Sequence, residues 1–147
     1  MGRLLLHLYG VRDALALEQS DDICTALQLI NFWQDPSRDL PRGRCYFPED
    51  WCVQHGLEAT PLQNAALSPQ ADSLLAHCAA DARTRMARGA ALVHRLPGRA
   101  GWELRLVVQG GLRILDKIDR LQGRVLLERP RIRVWDAPLL LWRALWM

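Results

Sequence analysis

Residues 23–51 read ICTALQLINFWQDPSRDLPRGRCYFPEDW, and within them Gln28, Asn31, Asp35 and Asp39 follow at intervals of three, four and four. At about 100° per residue the four fall inside an arc of about 80°, a single polar seam along a helix. Leu27, Leu29, Ile30, Phe32 and Trp33 between them are large and apolar, so the helix is expected to be packed on most of its other sides. The spacing predicts a helix from about Asp21 to Leu40, with Ser20, Asp21 and Asp22 supplying its cap and first-turn acids.

The make-up of the seam bears on function. An ordinary solvent-facing stripe mixes acids with Lys and Arg, whereas this one holds oxygen-bearing groups and no cation. Asp35 and Asp39 repel each other one turn apart by a few tenths of a kcal/mol, roughly. Asp39 also sits in the last turn, where the helix dipole disfavours an anion. A hard divalent cation such as Mg²⁺ suits carboxylate and amide oxygens and is commonly completed by water and substrate phosphate. From spacing alone two readings stay open: a metal-binding face, and a polar face turned to water. Pro36 between the acids removes a backbone donor and crowds the Phe32 carbonyl, which costs about 3 kcal/mol in a regular helix. A kink or an early helix end is expected there.

Outward from this segment the pattern is helical throughout. Residues 1–17 read as a helix, with Leu5, Leu8, Val11 and Leu15 at helical spacing. Met1 opens onto apolar residues with no capping side chain, so the domain is expected to continue upstream. Pro41, Gly43 and Pro48 mark a loop holding an extended piece, RCYFPEDW, and a short helix is expected after Pro61. Gln70–Arg95 forms a long helix with a stripe of Leu74, Leu75, Cys78, Ala82, Met86 and Leu92 or Val93. Trp102–Leu121 follows, and Gly110 and Gly111 within it suggest close packing or ligand approach. Residues 122–133 read as an Arg-rich connector, and about Ala137–Trp146 as a last helix. Its Leu139, Leu140, Trp142, Leu145 and Trp146 are expected to pack into the core rather than rest on a membrane surface. The class is all-α, a helical bundle.

Composition narrows the function. The 147 residues make one domain, half of them apolar and 24% charged, which excludes a disordered chain. Net charge is only +3, with no long basic block. The arginines near 120–133 lack interleaved aromatic residues, which argues against nucleic acid as a partner. Eighteen of nineteen cations are Arg, a bias that coding composition explains as well as phosphate recognition does. Cys24 and Cys78 fall in apolar helical patterns and are expected to be buried. Cys45, Cys52 and His55 lack the spacing of a zinc module. No run of about 18 apolar residues predicts a transmembrane segment, and no signal peptide is recognisable. A reducing, cytoplasmic setting is the default expectation.

QLINFWQDPSRD followed by LPRGRCYFP resembles the second aspartate-rich motif of the squalene/phytoene synthases, the head-to-head isoprenoid synthases. LHLYG, DDICTALQ and PGRAGWELRLVVQGGLRIL are similar to the bacterial HpnC-type squalene synthase branch, associated with hopanoid precursors. The resemblance covers most of the chain but only the C-terminal half of the family domain; the first aspartate-rich motif would lie upstream. It implies an isoprenoid-synthase bundle around a cavity, in which two aspartate-rich helices hold Mg²⁺ against the diphosphate of a prenyl or presqualene diphosphate. By this resemblance Asp35 and Asp39 are the catalytic acids, Asn31, Asp35 and Asp39 the metal ligands, and Gln28, Arg44 and Tyr46 the substrate-binding groups. Arg42 is a weaker candidate beside Arg44. Asp116 and Asp119 fit an exposed helix edge better than a substitute first motif. One wall offers too few ligands for a multi-metal site, so this chain alone is expected to be inactive. The alternative is a non-catalytic helical half-domain that binds Mg²⁺ or lipid weakly or associates with a partner. For the Leu139–Trp146 cluster the alternative to core packing is peripheral contact with the inner membrane face, suited to an enzyme handling C30 lipid.

Overall fold

The structure, a computed structural model, describes residues 2–57 and 61–147. Among these the secondary structure is helical, with α1 (Gly2–Leu8), α2 (Ala14–Gln34), α3 (Pro36–Asp39), α4 (Glu49–Gln54), α5 (Pro69–Gly89), α6 (Gly98–Leu121) and α7 (Ala137–Leu145). Short 3-10 helices, among them Leu40–Arg42, Leu62–Ala65, Ala90–His94 and Gln122–Leu126, join them, and no strand occurs among the described residues. The all-α expectation holds.

Two units are distinguished. The first comprises Met1–Gln28, Ala82–Arg113 and Ile132–Met147; the second comprises Leu29–Asp81 and Ile114–Arg131.

In the first unit the expected opening helix is two helices. Gly10 at φ 74° ends α1, its N–H donating to the His7 carbonyl at 3.1 Å and that of Val11 to the Leu6 carbonyl at 2.9 Å. This is a Schellman closure, which requires the left-handed conformation glycine adopts without strain. The break resets the helical phase. Leu5, Leu8 and Leu15 are therefore exposed, and Leu6 and Ala16 are buried instead. Asp13, not the expected 20–22 cluster, caps α2 by accepting the Ala16 N–H at 3.0 Å. Ser20 is buried, while Asp21 and Asp22 pair with Arg3 and Arg88 at 2.5 and 2.8 Å. Cys24 is exposed, against expectation. A Cβ on Gly89 would lie 2.6 Å from the Gln19 carbonyl oxygen, so α2 and α5 approach to backbone contact there. Gly110 has nothing nearer its Cβ position than Ile132 Cδ1 at 3.7 Å, so close packing does not account for that glycine. Asp136 is 1% exposed, pairs with Arg113 at 2.7 Å and accepts the Arg133 N–H at 2.7 Å. Around α7 the core expectation fails. Ala144 is buried, but Leu141, Trp142, Leu145 and Trp146 are all more than half exposed.

In the second unit Trp33 is the central side chain, 1% exposed, stacked on Phe47 with ring centroids 5.4 Å apart. Trp51 lies tilted 6.2 Å from Trp33 and stacks on His77 at 4.1 Å. His77 Nδ1 shares a hydrogen bond with His55 Nε2 at 3.1 Å. Trp33 and Phe47 are the buried members of this cluster, and burying such a side chain contributes about 1.5–3 kcal/mol. The stretch read as extended after Arg44 in fact turns into α4 once Pro48 and two first-turn acids, Glu49 and Asp50, start a helix. The predicted stripe on α5 is buried at Leu74, Leu75 and Cys78 in this unit, and at Ala82 and Met86 in the part of α5 that belongs to the first. Burial pushes the Cys78 thiol well above its ordinary pKa.

Candidate functional site

The seam survives the proline. α2 ends at Gln34, and Asp35 at φ −107°, ψ 15° makes the bend before Pro36 opens α3. The Asp35 N–H nevertheless donates to the Asn31 carbonyl at 3.1 Å, and the Asp39 N–H to the Asp35 carbonyl at 3.0 Å. The three seam residues are thus each one hydrogen-bonded turn apart, and the missing Pro36 donor falls between their bonds. The expected early end is real, yet Asp39 keeps its one-turn step from Asp35.

A second Schellman closure then turns the chain back. The Gly43 N–H donates to the Leu40 carbonyl at 3.0 Å and that of Arg44 to the Asp39 carbonyl at 3.0 Å, with Gly43 at φ 71°. The PRGR sequence is therefore a helix stop, and it directs Arg44, Cys45 and Tyr46 back toward α2. Tyr46 stacks on Phe32 at 4.2 Å with the rings 8° from parallel. Phe32 directly follows Asn31, so the return places the Tyr46 ring beside the seam.

Exposure is graded along this feature. Asn31, Arg42, Arg44 and Tyr46 are exposed, as is Gln28 earlier on α2, while Asp35 and Asp39 are half-buried. Asp35 is not free. Arg129 pairs with it through Nε on Oδ1, and Arg129 Nη2 donates to Oδ2 at 3.1 Å. The segment around Arg129 is tied down on its C-terminal side. Gln34 Nε2 donates to the Pro130 carbonyl at 2.8 Å and Lys117 Nζ to the Arg131 carbonyl at 2.8 Å. The seam that lacks a cation in sequence thus acquires one from 94 residues away. The RPRIR run was the available signal, but its local pattern reads only as a connector.

Asn31, Asp35 and Asp39 offer amide and carboxylate oxygens of the type Mg²⁺ accepts. They are one wall of donors. Among the described residues no group of three His, Cys, Asp or Glu side chains comes together to hold a metal ion.

The squalene/phytoene synthase model matches residues 1–136. The chain belongs to the squalene/phytoene synthase family. Among its relatives, 15-cis-phytoene synthase of Pantoea ananas is 30% identical over 124 residues, covering 82% of this chain and 39% of the relative. Presqualene diphosphate synthase of Rhodopseudomonas palustris is 29% identical over 99 residues, covering 67% of this chain and 36% of the relative. The crystal structure of squalene synthase HpnC from Alicyclobacillus acidocaldarius superposes with a TM-score of 0.75 at 34% identity, over 84% of this chain and 46% of that one. The chain spans less than half the length of these squalene/phytoene synthase relatives.

Proposed function

We propose that this chain supplies one wall of a Mg²⁺-dependent head-to-head isoprenoid synthase site, acting on prenyl or presqualene diphosphate toward a squalene-type product of hopanoid supply. The observation that carries the reading is the hydrogen-bonded succession Asn31, Asp35, Asp39, closed by the Gly43 turn with Tyr46 laid back on Phe32. Bound Mg²⁺ would neutralise charge on a departing diphosphate. Asn31, Asp35 and Asp39 would hold the ion, and exposed Gln28 and Arg44 would hold and orient substrate. Tyr46 would border the diphosphate end of the substrate. Turnover would take a second acidic wall from residues outside this chain, whereas this wall alone would take a single divalent ion.

The expected outcome is sharp. The 147-residue chain alone releases no diphosphate from farnesyl or presqualene diphosphate. Joined to an upstream segment bearing a second aspartate-rich helix, it gains Mg²⁺-dependent release, and Asp35→Ala in that joined protein abolishes it. Release by the Asp35→Ala protein at the wild-type rate overturns the site. The pairing of Asp35 with Arg129 favours the second reading, a non-catalytic half-domain. A joined protein that folds but never releases diphosphate would select it.

Among the described residues no helix is long and apolar enough to cross a membrane. Exposed Trp142 and Trp146, side by side at 5.6 Å, support peripheral contact with a lipid surface, which we place on the cytoplasmic side.

A further inference from the structure

We infer that Arg129 is a resident counter-ion for Asp35, occupying that acid until a divalent cation displaces it, and so is a positioning residue that sets how readily the seam takes metal. The inference rests on the reading of the seam as a metal-binding wall. Three observations carry it. First, the pair is formed on both carboxylate oxygens, with each side chain about one-quarter exposed, so solvent and salt screen it little. Second, the guanidinium is not an idle arm of a loose loop. Pro130 and Arg131 are both held through their carbonyls, by Gln34 and Lys117, which fixes the backbone from which Arg129 reaches. Third, the nearest acid in sequence, Glu128, pairs with Arg124 instead, at 3.4 Å, leaving Arg129 to Asp35.

The consequence is electrostatic. A cation approaching Asp35 meets a neutralised carboxylate and a neighbouring positive charge. Binding therefore includes the work of moving the guanidinium off the acid. An ion pair that also carries the Nη2 hydrogen bond to Oδ2 resists displacement better than a lysine point charge would.

The test is Mn²⁺ titration of the 147-residue chain, with free ion followed by electron paramagnetic resonance. Wild type, Arg129→Gln, Arg129→Lys and Asp35→Asn are compared, each checked for helical content. Arg129→Gln is expected to bind Mn²⁺ about tenfold more tightly than wild type, about 1.4 kcal/mol. Arg129→Lys is expected to fall between them, and Asp35→Asn to lose the site. Loss of binding in Asp35→Asn with unchanged affinity in both Arg129 variants overturns the counter-ion role and leaves the metal site standing. Binding by Asp35→Asn equal to wild type, or binding by none of the four proteins, overturns the metal reading and the counter-ion role with it. If Arg129→Gln fails to fold, Arg129→Lys carries the test. A gain of about threefold supports the role, and no gain overturns it.

Discussion

Gly43 shows how much of the candidate site depends on a single backbone conformation. Its positive φ lets two amide groups cap the end of the seam and sends Arg44 and Tyr46 back along α2. Gly43→Ala is expected to lower stability by about 1–2 kcal/mol, read from urea unfolding, because a Cβ is strained there whatever the surrounding space. Asp136 is the opposite case, a buried acid satisfied by Arg113 and the Arg133 N–H. Asp136→Ala strands the arginine and is expected to cost about 3–5 kcal/mol in the same measurement. The cysteines divide by exposure. In the native chain Cys24 and Cys45 should react quickly with a thiol reagent. Cys78, buried with its thiol pushed up, should react only on unfolding. Rapid native labelling of Cys78 would contradict the packing described. The Asn31, Asp35 and Asp39 series was legible in sequence because helical periodicity is local. The Arg129 partner of Asp35 was not, since no local pattern encodes an ion pair across 94 residues.

At the scale of elements, close approach and exposure decide what sequence periodicity leaves open. Gly89 lies where α2 and α5 meet at backbone distance, and a Cβ there would meet the Gln19 carbonyl oxygen and Ile23 Cγ1, each at 2.6 Å. Gly89→Ala is therefore expected to destabilise by about 1–3 kcal/mol through overpacking, despite alanine's higher helix propensity. Stabilisation would show that the two helices are not that close. α7 has the apolar pattern of a core helix, but Leu141, Trp142, Leu145 and the adjoining Trp146 are exposed. Trp142→Ser with Trp146→Ser should change unfolding stability by less than about 0.5 kcal/mol, the ordinary surface range. The same pair should weaken cosedimentation with anionic phospholipid vesicles severalfold. A large stability loss would return the helix to the core. The first helix misled for a related reason: a leucine series at helical spacing spans Gly10, and the left-handed residue there shifts the phase of everything before it.

Across the whole molecule the helical class was plain from sequence, because Leu74, Leu75, Cys78, Ala82 and Met86 repeat at the helical period and are all buried. The family match over residues 1–136 and the likeness to squalene synthase HpnC agree with that class. What periodicity could not supply is which polar face meets solvent and which meets a ligand, since both carry the same residue pattern. The seam of Asn31, Asp35 and Asp39 is the central claim, and an anomalous difference map reads it directly. Crystals of the joined protein grown with Mn²⁺ and inorganic pyrophosphate should show a metal peak about 2.1 Å from carboxylate oxygens of Asp35 and Asp39, with Arg129 moved off Asp35. A map with Mn²⁺ bound elsewhere, and Asp35 still paired to Arg129, would contradict the account.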